Sequence, residues 1–147
     1  MIVKFTVPGQ PVGKARPRVT KAGHAYTPKK TVDYENLVRA EYHRQCGDYK
    51  FPDDAMLDMR IMAFYRIPKS APKRRKSAME RGEIRPTVKP DSDNVIKGIA
   101  DSGNGIFYRD DTQIVDCQIR KFYSYEPRVV VTIQEAAHYQ SSNKQEE

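Results

Sequence analysis

Asp91 and Asp93, in the run Lys89-Pro-Asp-Ser-Asp-Asn-Val-Ile-Lys97, and Asp110 and Asp111, in Tyr108-Arg-Asp-Asp-Thr112, flank one short predicted helix. Two carboxylates about 4 Å apart repel by about 1 kcal/mol in water and several-fold more near a protein surface, so a folded cluster of this kind calls for a cation. Asp91 and Asp93 are two residues apart, which in an extended approach projects both carboxylates from one side of the backbone. Lys97 lies one helical turn beyond Asp93, where an ammonium can orient an attacking water or stabilise a pentacovalent phosphate. A helix followed by a returning segment can bring Asp111, or Asp110 as the weaker candidate, back to the first pair. Hard oxygen donors with no His or Cys beside them favour magnesium, or manganese, over zinc. Such an ion polarises a phosphoryl oxygen, lowers the pKa of a bound water and steadies a leaving alkoxide.

An isolated Asp-x-Asp before a helix is more often a cap with a solvated neighbour. Asn94, Lys97 and the later doublet raise this one above that reading, whereas Asp101 and Asp116 read as surface residues. Three other chemistries fail on the letters. An EF-hand calcium loop needs Asp or Asn where Val95 stands and Gly where Ile96 stands. A haloacid-dehalogenase phosphatase needs an apolar strand before its aspartates, where this chain has the basic Arg85-Pro-Thr-Val-Lys-Pro90. Gly9-Gln-Pro-Val-Gly-Lys-Ala15 is one residue too short, and lacks the Ser or Thr, for a nucleotide-binding Walker loop, so no nucleotide cofactor is expected.

The acid sits in a chain of net charge +7. Positive loops around an acidic metal site suit an enzyme acting on a polyanion, because the scissile phosphate alone need reach the ions. Lys14, Arg16 and Arg18 make one predicted phosphate-contacting patch, with prolines stiffening the two arginines. Lys73, Arg74, Arg75 and Lys76 make another, within a stretch from Arg66 to Lys89 that carries nine Lys or Arg against Glu80 and Glu83. Tyr26, Phe107, Tyr108 and Tyr123 are candidates for stacking on bases, although each such residue is more often core. His24, His43 and His138 share no metal-binding spacing.

The elements that must position these groups follow from periodicity. Val3, Phe5 and Val7 alternate with polar positions as a first strand, ended by Pro8-Gly9, and a long basic loop occupies residues 10–30. Thr31 is placed to cap a helix over about 32–46, with Tyr34, Leu37, Val38, Glu41 and Tyr42 on one stripe. Residues 55–67 alternate as the longest strand, a basic helix follows over about 72–81, and Asp93 is placed to cap the helix over 94–102. Two antiparallel strands, around Val115–Ile119 and Val129–Ile133, close the domain across Tyr125-Glu-Pro127. This order predicts a single α+β domain over residues 1–135, a small mixed sheet with helices packed on it, and a polar disordered tail over 136–147. With 38% hydrophobic and 31% charged residues the core is small and the surface heavily ionised. Cys46 and Cys117 match no zinc spacing and read as buried thiols of a reducing compartment. No signal peptide or membrane span is expected, which predicts a cytoplasmic protein with no membrane partner.

The acidic run Lys89–Lys97 followed by Tyr108-Arg-Asp-Asp-Thr-Gln-Ile114 resembles the RusA family of Holliday junction resolvases, as do Pro8-Gly-Gln-Pro-Val-Gly-Lys-Ala-Arg-Pro-Arg18 and Tyr26-Thr-Pro-Lys29. The resemblance spans about residues 3–134 and implies a magnesium-dependent homodimeric endonuclease that nicks opposing strands of a four-way DNA junction. It implies Asp91, Asp93 and Asp111 as metal ligands and Lys97 as the cation beside the phosphate. A two-fold dimer supplies the two symmetric cuts that one acidic cluster cannot make. A nuclease for flaps or forks, and a non-catalytic basic DNA-binding protein, are the competing readings.

Overall fold

Strict alternation along Ile2–Pro8 (β1) buries Val3, Phe5 and Val7 and leaves Ile2 and Lys4 outside. The computed structural model describes residues 1–139. After β1 come a small hairpin of Arg18–Val19 (β2) and Ala25–Tyr26 (β3), helix Lys29–Cys46 (α1) and strand Leu57–Arg66 (β4). Helices Lys73–Glu80 (α2) and Ser92–Ser102 (α3) follow, then a 3₁₀ turn at Asp111–Gln113 and strands Ile114–Ser124 (β5) and Arg128–Glu135 (β6). Four strands form a mixed sheet in the order β1-β6-β4-β5, in which β4 and β5 are parallel and the other neighbours antiparallel. The single α+β domain expected from the sequence is therefore present, with α1 packed on β1 and against α3.

The expected closing hairpin is not: β5 and β6 flank β4 and do not pair with each other. The cause lies in β4, which buries Leu57, Asp58, Met59, Ile61, Ala63 and Tyr65 and so takes a central place with a partner on each side. A parallel pair needs a crossover connection, and α2 and α3 supply it between β4 and β5. Strand β5 is left at the edge, which explains why Cys117 is exposed rather than buried as expected; Cys46 is half-buried.

Helix α1 starts after Pro28, a turn earlier than Thr31 suggested. Pro28 takes an extended φ and ψ at the helix boundary, and the Thr31 hydroxyl instead accepts the Ala15 N–H at 3.3 Å. The buried stripe is Thr31, Tyr34, Glu35, Val38 and Tyr42, which leaves Leu37 exposed. Helix α2 buries Met79 alone, in keeping with its basic composition. Ala136 is buried, its N–H bonded to the Met56 carbonyl at 2.8 Å; residues 140–147 of the expected tail lie outside the described residues. No helix among the described residues is long and apolar enough to cross a membrane.

Between the sheet and helices, Phe5, Tyr42 and Phe107 form an aromatic cluster, with ring centroids 5.3 Å (Phe5–Tyr42), 5.4 Å (Phe5–Phe107) and 4.2 Å (Tyr42–Phe107) apart. Phe107 and Tyr108 are fully buried, so neither is available to stack on a base. The chain leaves α3 through Gly103, where a Cβ would overlap the Phe107 ring. A ring locked in a packed cluster cannot move aside. Gly103→Ala is therefore expected to cost about 1–3 kcal/mol, the usual range for overpacking, read as a lower urea midpoint with an unchanged slope.

Candidate functional site

The start of α3 is tied to the sheet through one carbonyl. Pro90 O accepts the Tyr65 hydroxyl of β4 at 2.6 Å and the Lys121 ammonium of β5 at 3.3 Å, and Lys121 also donates to Val88 O at 2.9 Å. Lys121 Nζ lies 4.8 Å from the Tyr65 ring centroid. Burial, and then the charge of Asp91, push the Tyr65 hydroxyl up to about 12, so it remains a donor across the neutral range.

Asp91, rather than Asp93, is the N-cap residue of α3, and the helix starts two residues before the expected Asn94. Its backbone carbonyl accepts the Val95 N–H at 3.1 Å, but its side chain makes no capping bond. Asp93 sits in the first turn, where the helix dipole favours a negative charge. Both carboxylates are exposed, and among the described residues neither takes part in an ion pair or side-chain hydrogen bond.

Asp101, read from the sequence as a surface residue, is instead a central member of the site. Lys14 Nζ lies 3.2 Å from Glu35 Oε2 and 3.4 Å from Asp101 Oδ2, and Lys97 Nζ lies 3.7 Å from the same Asp101 oxygen. Glu35, Lys14, Asp101 and Lys97 thus form a run of alternating charge, with the first three mostly shielded from water and Lys97 63% exposed. Lys14, expected on a phosphate, turns inward to these carboxylates. A signal for Asp101 was present in the spacing: Asp93, Lys97 and Asp101 recur at four residues, one stripe of a helix.

The two members of the later doublet do different work. Asp110 caps the 3₁₀ turn, accepting the Thr112 N–H at 3.1 Å, and hydrogen bonding from Thr112, its side chain first and then its N–H, holds the Asp110 carboxyl below the ordinary value. Gln113 completes the cap by accepting the Asp110 N–H at 3.2 Å, while its amide donates to Pro52 O and Ala55 O. Asp111 is held by Asn104, which accepts its N–H at 2.8 Å and donates to its carboxylate at 3.4 Å. Burial first, and then the carboxyl of Asp101 beside it, raise the Asp111 carboxyl above its ordinary value.

The donors suit a hard divalent ion: all are carboxylates, Asp91 and Asp93 are unpartnered, and the Asp101–Asp111 contact is one that a nearby cation would relieve. Yet no group of three or more His, Cys, Asp or Glu among the described residues is gathered closely enough to hold a metal. The carboxyls shown acting on Asp111 are those of Asp101 and Asp110. On the basic surface, Arg16, Arg18, Lys73, Arg74 and Arg75 are exposed and Lys76 half-buried, with none in an ion pair among the described residues.

A family model described as Endodeoxyribonuclease RusA matches residues 8–134. The chain is also 39% identical over 142 residues to a Bacillus subtilis (strain 168) protein named Uncharacterized protein YqaN, covering 92% of this chain and 97% of that one.

Because the folded value of Asp111 lies above its unfolded value, its charged form is penalised in the fold, and stability contributed by this group falls as pH rises through that window. Asp111→Asn is therefore expected to raise the thermal midpoint of chelator-treated protein at neutral pH. The gain should vanish below the ordinary carboxylate range, where Asp111 itself is protonated; scanning calorimetry across pH checks both.

Proposed function

Because the chain belongs to the RusA endodeoxyribonuclease family, we propose that it is a magnesium-dependent endonuclease, homodimeric, that resolves four-way DNA junctions by paired symmetric nicks. The observation that carries this reading is the open, unpartnered pair Asp91 and Asp93 at the start of a helix in a chain of net charge +7. Asp91, Asp93 and Asp111 would hold the ion, with manganese as an alternative, and its binding would have to draw the three carboxylates closer together than they stand here; Asp110 serves as the cap that sets the turn before Asp111. When bound, the ion polarises the scissile phosphoryl group and lowers the pKa of a water.

The chain's own groups do the rest. Tyr65 and Lys121 hold the backbone ahead of Asp91 against the sheet, which fixes where that carboxylate can reach. Asn104 orients Asp111. The exposed ammonium of Lys97, leaning on Asp101, is free to swing to a phosphate and stabilise negative charge as it develops. Arg16, Arg18 and the basic face of α2 contact the DNA backbone and set register without reading sequence. A two-fold dimer presents two such centres to the two opposing strands of a junction.

A panel of synthetic junctions, flaps, forks and duplexes with magnesium tests the reading. Two nicks at symmetry-related positions of a four-way junction are expected, and Asp91→Asn should slow them about a hundredfold or more while junction binding persists. Lys97→Ala should lower kcat about 10²- to 10³-fold with little change in KM, as for removal of a preorganised charge-stabilising donor. Cutting confined to flaps or forks would reassign the substrate. Junction binding with no cleavage of any DNA would overturn the enzyme.

A further inference from the structure

A cleft of about 660 Å³ opens beside Asp91, between the loop Gln10–Ala15, the start of α1 and the segment Lys89–Asn94. Arg18, Lys30 and Lys89 line it, all exposed and none in an ion pair among the described residues, and Asp91 is the one carboxylate on its walls. Pro11, Val12 and Pro28 add apolar surface between these charges. Cations for phosphate and apolar surface for a base therefore meet in one place.

The cleft is built into the fold. Lys14 N–H bonds to Asn94 O at 2.9 Å, the Ala15 N–H bonds to Thr31 Oγ1 at 3.3 Å, and Pro90 O is held by the sheet. Gly13 packs so closely that a Cβ there would lie 2.9 Å from Pro90 Cβ and 3.1 Å from Asn94 Cβ. Walls tied at these points do not need to close around a ligand, as is usual for sites that are largely preformed.

We infer that this cleft binds one unpaired stretch of DNA strand, about one or two nucleotides long, next to the phosphate presented to Asp91; its volume lies in the range of small-molecule sites, about 300–1,000 Å³. The inference rests on the nuclease reading for the role of Asp91 and adds to it the form of DNA accepted there. A strand segment freed from pairing at the branch point of a junction fits, whereas a continuous duplex contacts only the rim.

The test is anisotropy of a labelled tetrathymidylate with the full-length protein in chelator, where no cutting occurs. The wild type should bind it. Arg18→Gln with Lys30→Gln and Lys89→Gln should weaken binding about tenfold or more, whereas the equal charge loss of Lys4→Gln with Lys50→Gln and Arg120→Gln, away from the cleft, should leave it within about twofold. Circular dichroism verifies that each variant is folded. No tetramer binding by the wild type, equal loss in both triple variants, or a blunt duplex that binds the cleft as tightly as the tetramer would overturn the inference. The nuclease reading is judged separately, by magnesium-dependent cutting with the wild type, and can stand when the cleft does not.

Discussion

The Pro90 carbonyl is the joint between the sheet and the acidic helix. A carbonyl oxygen has two acceptor directions, and here a buried phenol from β4 and an ammonium from β5 occupy them. Because β4 and β5 are neighbours in parallel register, Tyr65 and Lys121 come from adjoining strands. The segment they hold leads straight into Asp91, so the direction of the first carboxylate is inherited from the sheet rather than from a loop. That rigidity matters for chemistry in which small misplacements of a reacting group are costly.

Charge is arranged in two ways around that joint. Asp91 and Asp93 are left without cationic partners, while Asp101 is surrounded by Lys14 and Lys97, and Glu35 backs Lys14 from α1. A buried carboxylate without a partner is costly, and this run of alternating sign is what permits Asp101 and Glu35 to sit shielded from water. It also draws the loop after β1 onto α3, which shapes one wall of the cleft. Asp111, pressed against Asp101 and partly buried, is the strained member, and its raised carboxyl value is the physical trace of that strain.

Elements whose identity depends on local pattern were legible. The alternation in β1 and β4 follows from side-chain periodicity and the basic character of α2 from its composition, and both appear in the structure. Boundaries set by tertiary contacts were not. Thr31 has the chemistry of a cap, but the loop at Ala15 claims its hydroxyl and the helix starts at Lys29. Asp93 looks like a cap, yet the Pro90 anchor moves that position to Asp91. The two closing strands look like a hairpin because a short turn joins them, and only competition with the more apolar β4 separates them.

The amino-acid sequence by itself determined the strands and helices, the concentration of carboxylates around one helix and their basic surroundings, because each depends on residue type and spacing within a turn or two of chain. The tertiary structure decided which carboxylates meet. Asp101 and Asp111 are ten residues apart, and their contact arises from a return of the chain through Gly103 that Phe107 locks into the core. Lys14 and Glu35 reach the same helix from two other elements. Long-range packing of this kind depends on how whole faces fit together, which no local pattern carries.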